Sequence, residues 1–251
     1  MSELPASRLE WARGWFERLG VPGETDEYLT AVEQWRLAWR PSEVKALIVA
    51  ESHNAQLPGD DRVKICVDPK IRVQRTFPSD YVRLVYCLGY GNDKVCRPRP
   101  PENNEGTPDY WEIFERIVTA GERHPSQPLP AEQTERQIAI LERLADRGIW
   151  LEDASPIGLY VPGTGRLADS FTDEAIVTEG WTGYVWPNFA ANPPQHIWVV
   201  GRMVWRALKE LDGVRGRGCI MQPSYARRRR IRTEYLAELD NMAQDLASAA
   251  P

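Results

Sequence analysis

Val44-Lys45-Ala46-Leu47-Ile48-Val49-Ala50 is the stretch on which the fold turns. It is short, nearly continuously apolar and rich in branched side chains. A strand buried on both faces has that composition, and such strands belong to parallel sheets covered by helices on either side. Three further runs follow the same rule. They are Ile149–Asp153 (IWLED), His196–Gly201 (HIWVVG) and the shorter Gly218–Gln222 (GCIMQ).

Helical patterns lie between and around these runs. Apolar residues recur at helical spacing over Ser7–Leu19 and Asp26–Trp39, with Pro22-Gly23 between them. Asp109–Ala120, Arg202–Leu211 and Thr233–Ala247 read the same way. Ala131–Arg147 is strongly amphipathic through Ile138, Leu141 and Leu144, and ends at Gly148. Strands alternating with helices predict an α/β chain: a three-layer α/β/α sandwich on a four-stranded parallel sheet. The expected organisation is one domain over residues 1–251. Residues 1–40 form an N-terminal helical extension, and residues 51–108 a long loop-rich insertion. Within that insertion Tyr81–Leu88 fits either helix or strand, and Cys96–Pro108 (CRPRPPENNEGTP) reads as a loop. Residues Ala154–Pro194 also read as irregular, with five glycines and five prolines from Pro156 onward.

Composition narrows the function classes. The 251 residues carry a formal charge of −5 and 27% charged side chains, unlike a disordered or collagenous chain. No apolar run reaches the roughly 18–20 residues of a membrane span, and the N-terminus lacks the apolar core of a signal peptide. The four cysteines (Cys66, Cys87, Cys96, Cys219) are scattered, with no CxxC. They read as free thiols of a cytoplasmic protein with no metal and no cofactor.

In an open α/β sheet, ligands bind beyond the carboxyl ends of the strands. Three of the four ends here carry polar clusters: Glu51-Ser52-His53-Asn54, Glu152-Asp153-Ala154-Ser155, and Gln222-Pro223-Ser224-Tyr225. They converge on one crevice, and that convergence is the strongest functional signal in the chain.

The four segments, in this order, resemble the uracil-DNA glycosylase superfamily. VKALIVAESHN is similar to that family's first loop, of the type "LIVGEAPG" or "VVGQDPY". Gly148–Ala154 (GIWLEDA) is similar to "GVLLLNA", whose Asn reads the base. Ile197–Gly201 matches the "vvfllG" strand, and Gln222-Pro223-Ser224-Tyr225 matches the last loop, "HPSP", "HPAY" or "MPSS". The resemblance covers Val44 to about Arg230. It implies a DNA glycosylase of α/β/α fold, acting as a monomer. Such an enzyme hydrolyses the N-glycosidic bond of a flipped deoxynucleotide and leaves an abasic site.

Bond breaking builds positive charge on the sugar and negative charge on the departing base. On this reading Glu51 supplies the anion near the sugar. His53 positions or deprotonates water, and Gln222 donates to the base. Ser52 shares the loop but is too weak a base to act unaided. Phe77 and Tyr81 are candidates for stacking on the flipped base. Ser224, Tyr225, Arg227, Arg228, Arg229 and Arg230 are candidates for phosphate contact and wedge insertion. His124 and His196 read as bystanders.

The departures carry information. Ser52 and His53 stand for the family's Asp and Pro, Gln222 for its His, and Asp153 for its Asn. An ionised carboxylate at position 153 only accepts hydrogen bonds. It opposes the O4 of uracil and suits the N4 amine of cytosine. The same partner favours protonation at N3, which makes the base a better leaving group. The expected substrate is therefore a modified cytosine, since ordinary cytosine must be spared in the host. Phage DNA is one source, and antiviral defence the corresponding role. Two other readings stand beside this one: a superfamily member that binds nucleic acid without catalysis, and a hydrolase of free nucleotides or nucleosides.

Overall fold

The computed structural model describes residues 6–120, 129–215, 217–223 and 232–248. In chain order the elements are α1 (Ala6–Leu19), α2 (Asp26–Ala38), β1 (Ala46–Ala50), β2 (Lys64–Ile65), β3 (Cys96–Arg97), α3 (Pro108–Thr119), α4 (Gln133–Asp146), β4 (Ile149–Asp153), β5 (Tyr160–Val161), β6 (Gly165–Arg166), α5 (Ser170–Gly180), β7 (His196–Val200), α6 (Arg202–Leu208), β8 (Gly218–Ile220) and α7 (Arg232–Ser248). Strands β4, β1, β7 and β8 form one parallel sheet in that order. All five residues of β1 are buried, because β1 is a central strand covered on both faces. Helices α3, α4 and α7 pack together, as do α5 and α6, and the whole is a three-layer α/β/α sandwich. Among the described residues no helix is long and apolar enough to cross a membrane.

The N-terminal helices are part of the core. Trp15, Phe16, Trp35 and Trp39 join the same buried cluster as the sheet. Helix α2 also closes the β4 edge. Trp150 Nε1 donates to the Arg36 carbonyl at 3.3 Å, and Trp39 Nε1 donates to the Tyr86 carbonyl at 3.1 Å. The Tyr86 hydroxyl then accepts from Leu151 N at 2.7 Å and donates to Leu151 O at 3.2 Å. A side chain thus satisfies the ladder groups that an open edge strand would leave free.

Three local expectations are corrected. Tyr81–Leu88 is neither helix nor strand; it is a run of turns, yet fully buried. Long-range partners replace its ladder. Arg83 N donates to the Tyr28 hydroxyl, Arg83 O accepts from Asn54 N, and the guanidinium forks onto Asp60 at 2.7 and 2.8 Å. The segment Cys96–Pro108 is not loop throughout. Cys96–Arg97 pairs antiparallel with Lys64–Ile65, and Pro108 opens α3, where its missing N–H costs nothing. Finally, Ala154–Pro194 contains α5, which runs on through a π turn (Trp181–Val185) and a 3-10 turn (Trp186–Asn188). Gly180 does not break this helix. It lets the helix approach the strand end, since a Cβ there would meet Ala154 O at 2.1 Å.

Candidate active site

The chain leaves β1 for β4 on one side, then returns to β7 on the other, so the sheet order reverses beside β1. Crevices form at such switch points beyond the strand ends. Two adjoining cavities lie there. The outer one, about 500 Å³, is lined by Glu51, Tyr160, Arg166, Arg202, Arg206 and Gln222 among others. The inner one, about 100 Å³, is lined by Glu51, Ser52, His53, Arg83, Tyr110, Asp153, Tyr160 and Gln222 among others. Glu51, Tyr160 and Gln222 belong to both, so they form the doorway.

Glu51, the first residue after β1, is 5% exposed. The small hairpin of β5 and β6 holds it. Register sets Tyr160 opposite Arg166. From there the Tyr160 hydroxyl donates to Glu51 Oε2 at 3.1 Å, and Arg166 Nη1 donates to Oε1 at 2.8 Å. Burial pushes the Glu51 carboxyl above its ordinary range; Arg166 and Tyr160 oppose that shift without cancelling it. Arg166 also pairs with Asp173, which anchors the hairpin to α5.

His53 is buried beside the inner cavity. Its Nε2 lies 3.1 and 3.3 Å from the two oxygens of Glu24, and its Nδ1 lies 4.0 Å from Asp153 Oδ2. Ser52 Oγ accepts from Leu159 N at 3.1 Å, which ties the β1 loop to the segment after β4. Gln222 follows β8 and bonds the Tyr110 hydroxyl, whose pKa burial raises. Gly201, at φ +101°, makes room for this amide: a Cβ there would sit 2.7 Å from Gln222 Oε1.

Asp153 ends β4 and is not a free carboxylate. Arg36 Nη2 donates to its Oδ2 at 2.7 Å. The same guanidinium meets Glu33 at 2.6 Å and Glu152 at 3.1 Å, and Arg8 also pairs with Glu33. Two guanidiniums, Arg8 and Arg36, thus face three carboxylates, Glu33, Glu152 and Asp153, all buried. Burial raises the Glu152 carboxyl to about 7, against the pull of Arg36 and Arg8. Burial also works to raise Glu33, but the two guanidiniums outweigh it and hold that carboxyl below its ordinary value.

The structure brings Glu51, Ser52, His53, Asp153 and Gln222 together, as the sequence reading expects. It does not bring Phe77 or Tyr81 to either cavity. Phe77 stacks on Trp35 and Trp39, with centroids 5.4 and 6.1 Å away, because these two indoles, in α2 and at its C-cap, offer it a slot. The Tyr81 hydroxyl donates to Asn104 Oδ1 at 2.9 Å. The tyrosines that line the inner cavity are Tyr110 and Tyr160. Ser224, Tyr225 and Arg227–Arg230 lie outside the described residues. Sequence reasoning missed Glu24, Arg36, Tyr110, Tyr160 and Arg166. Only the hairpin had a local signal, the Pro162-Gly163-Thr164 turn between its strands. The chain matches no protein-family model, no curated protein and no solved structure.

Proposed function

We propose that this chain is a DNA glycosylase that hydrolyses the N-glycosidic bond of a flipped, amino-bearing base of the modified-cytosine class. The observation that carries this reading is the junction of two cavities of unequal size at one carboxylate. The inner cavity takes the base. The outer one, with Arg166, Arg202 and Arg206 on its wall, takes the sugar and its phosphates. The glycosidic bond then crosses the doorway, where Glu51 stands.

Each part has a physical task. Glu51 stabilises positive charge on the sugar as the C–N bond opens and its electron pair leaves with the base; water then adds to that carbon and gives up its proton to solvent. Tyr160 and Arg166 keep its carboxylate in place, so little reorganisation is needed during the reaction. Gln222 faces the departing base from the other side of the doorway. His53 and Asp153 face the base edge; with Nε2 held by Glu24, His53 reads the base instead of activating water as the sequence alone suggests. Modified phage DNA is one source of such a base, and defence is the role that follows from it.

The test is base release, followed by mass spectrometry, from duplex and single-stranded oligonucleotides carrying cytosine, 5-hydroxymethylcytosine, its glucosylated form, guanine and uracil, with free deoxynucleosides alongside. Release of a modified cytosine from DNA, with ordinary cytosine spared, supports the reading. Release from free nucleosides alone, or of uracil alone, overturns it. Affinity against salt is a second readout. Arg227→Ala with Arg229→Ala is expected to lower the slope of log affinity on log salt by roughly 0.7–0.9 per lost phosphate contact.

A further inference from the structure

His53 has one ring nitrogen engaged and one bare. Nε2 faces the Glu24 carboxylate at 3.1 and 3.3 Å. A carboxylate only accepts, so Nε2 carries the hydrogen. Glu24 is itself fixed: the backbone N–H of Gln56 donates to Oε1 at 3.2 Å, and that of Gly158 donates to Oε2 at 3.0 Å. Nδ1 is buried, with no hydrogen-bond partner among the described residues. It stands 4.0 Å from Asp153 Oδ2, and both residues line the inner cavity. In a neutral imidazole protonated at Nε2, Nδ1 is a lone pair. A lone pair beside a carboxylate, both out of water, is costly until donors arrive.

We propose that Glu24, by holding the hydrogen on Nε2, turns His53 Nδ1 into an acceptor beside the Asp153 carboxylate, so that the inner cavity binds a base edge with two neighbouring donors, an amino group and a ring N–H. This rests on the glycosylase reading and sharpens its substrate class. Guanine presents such an edge as it stands, and cytosine presents one once N3 has taken a proton. Uracil sets a carbonyl next to its N–H, and that carbonyl opposes one of the two acceptors. Glu24 is a positioning residue here, because it acts through His53.

The chain has three histidines, so His53 is assignable by ¹⁵N NMR through loss of its signals in His53→Asn. The expected spectrum has Nε2 protonated and Nδ1 bare; a hydrogen on Nδ1 overturns the proposal. Adding free deoxyguanosine or deoxycytidine is expected to shift the Nδ1 resonance, and deoxyuridine to leave it in place. A shift with deoxyuridine alone, or with none of the three, overturns it too. This readout does not depend on catalysis. A wild type that releases no base from any oligonucleotide sinks the glycosylase reading, while the resonance still decides the inference.

In the activity arm, wild type is expected to prefer amino-bearing bases over uracil by about 10-fold or more. Glu24→Gln can donate to Nε2 and move the hydrogen to Nδ1, at the loss of one of the two backbone N–H bonds that the Glu24 oxygens accept. It is expected to narrow that preference by about 10-fold in a folded variant of lower thermal midpoint, with DNA affinity held. If Glu24→Gln does not fold, His53→Asn, whose amide can present either sign, serves in its place. An unchanged preference in a folded variant counts against the proposal. Guanine-type and cytosine-type oligonucleotides separate the two sources of the same edge.

Discussion

Arg36 Nη2 lies 2.7 Å from Asp153 Oδ2, and this bond joins helix α2 to the end of an edge strand 117 residues away in sequence. It places a cation behind the candidate base-reading carboxylate. It also makes Arg36, fully buried, the hub on which Glu33, Glu152 and Asp153 converge.

Removing that hub leaves buried carboxylates facing one another. Arg36→Met is expected to destabilise the fold by about 3–5 kcal/mol, the usual consequence of stripping one partner from a buried ion pair. Arg36→Lys keeps the charge but not the fork that spans three carboxylates, so a smaller loss is expected. Urea denaturation of both variants measures this. A loss below about 1 kcal/mol for Arg36→Met would mean that the cluster does not hold helix and strand together.

Glu152 gives the same cluster a pH dependence. Its folded pKa, pushed up to about 7 by burial, exceeds the ordinary glutamate value of 4.5. The folded state therefore holds a proton that the unfolded state releases earlier. The stability tied to this group is full below about 4.5 and is lost as pH rises through about 7. Glu152→Gln leaves two guanidiniums against two carboxylates and needs no proton. Wild type is expected to lose about 1–3 kcal/mol relative to Glu152→Gln across that window. Parallel stability curves for the two proteins would refute the assignment.

The sequence showed the sheet because its strands are short apolar runs bounded by turn residues, and runs such as Val44–Ala50 have no other way to be buried. It showed Glu51, His53, Asp153 and Gln222 because strand ends point at one crevice in this architecture. It did not show Arg36 or Glu24. Their partners lie far along the chain, and an arginine between Trp35 and Trp39 looks like an ordinary helix residue until the fold closes over it. Helix α5 was hidden for a different reason. The glycines and prolines of Ala154–Pro194 read as irregular chain, whereas Gly180 serves a close approach that only tertiary structure reveals.

Glu51 is expected to dominate catalysis. Glu51→Gln keeps the shape of the doorway and removes its anion, so base release should slow by about 10²–10⁴-fold while DNA affinity holds. The wild-type rate should fall on the acid side, at a pH above the ordinary carboxylate range, because burial raises this group. Arg166→Gln takes away the cation that opposes the shift, so the acid limb moves further up. Single-turnover rates against pH check both variants. A limb unmoved in Arg166→Gln, or absent from wild type, would remove Glu51 from the reaction.

Gly180 and Gly183 provide a matched pair for the packing of α5 behind the site. A Cβ at Gly180 would sit 2.1 Å from Ala154 O and 3.0 Å from Pro156 Cδ, in the loop that follows Asp153. Backbone cannot yield as a flexible side chain can, so Gly180→Ala must push the helix away from the strand end. A destabilisation of about 1–3 kcal/mol is expected, the range for overpacking a tight interior. The displaced loop carries Asp153 with it, so base release should fall as well. A Cβ at Gly183 would meet nothing within 4 Å. Gly183→Ala lowers the entropy of the unfolded chain without a clash, and is expected to be neutral or stabilising by up to about 1 kcal/mol. Thermal melts and base release on the two variants side by side decide the matter. Equal effects at the two positions would mean that α5 does not press on the loop after β4, and that the site does not depend on this contact for its shape.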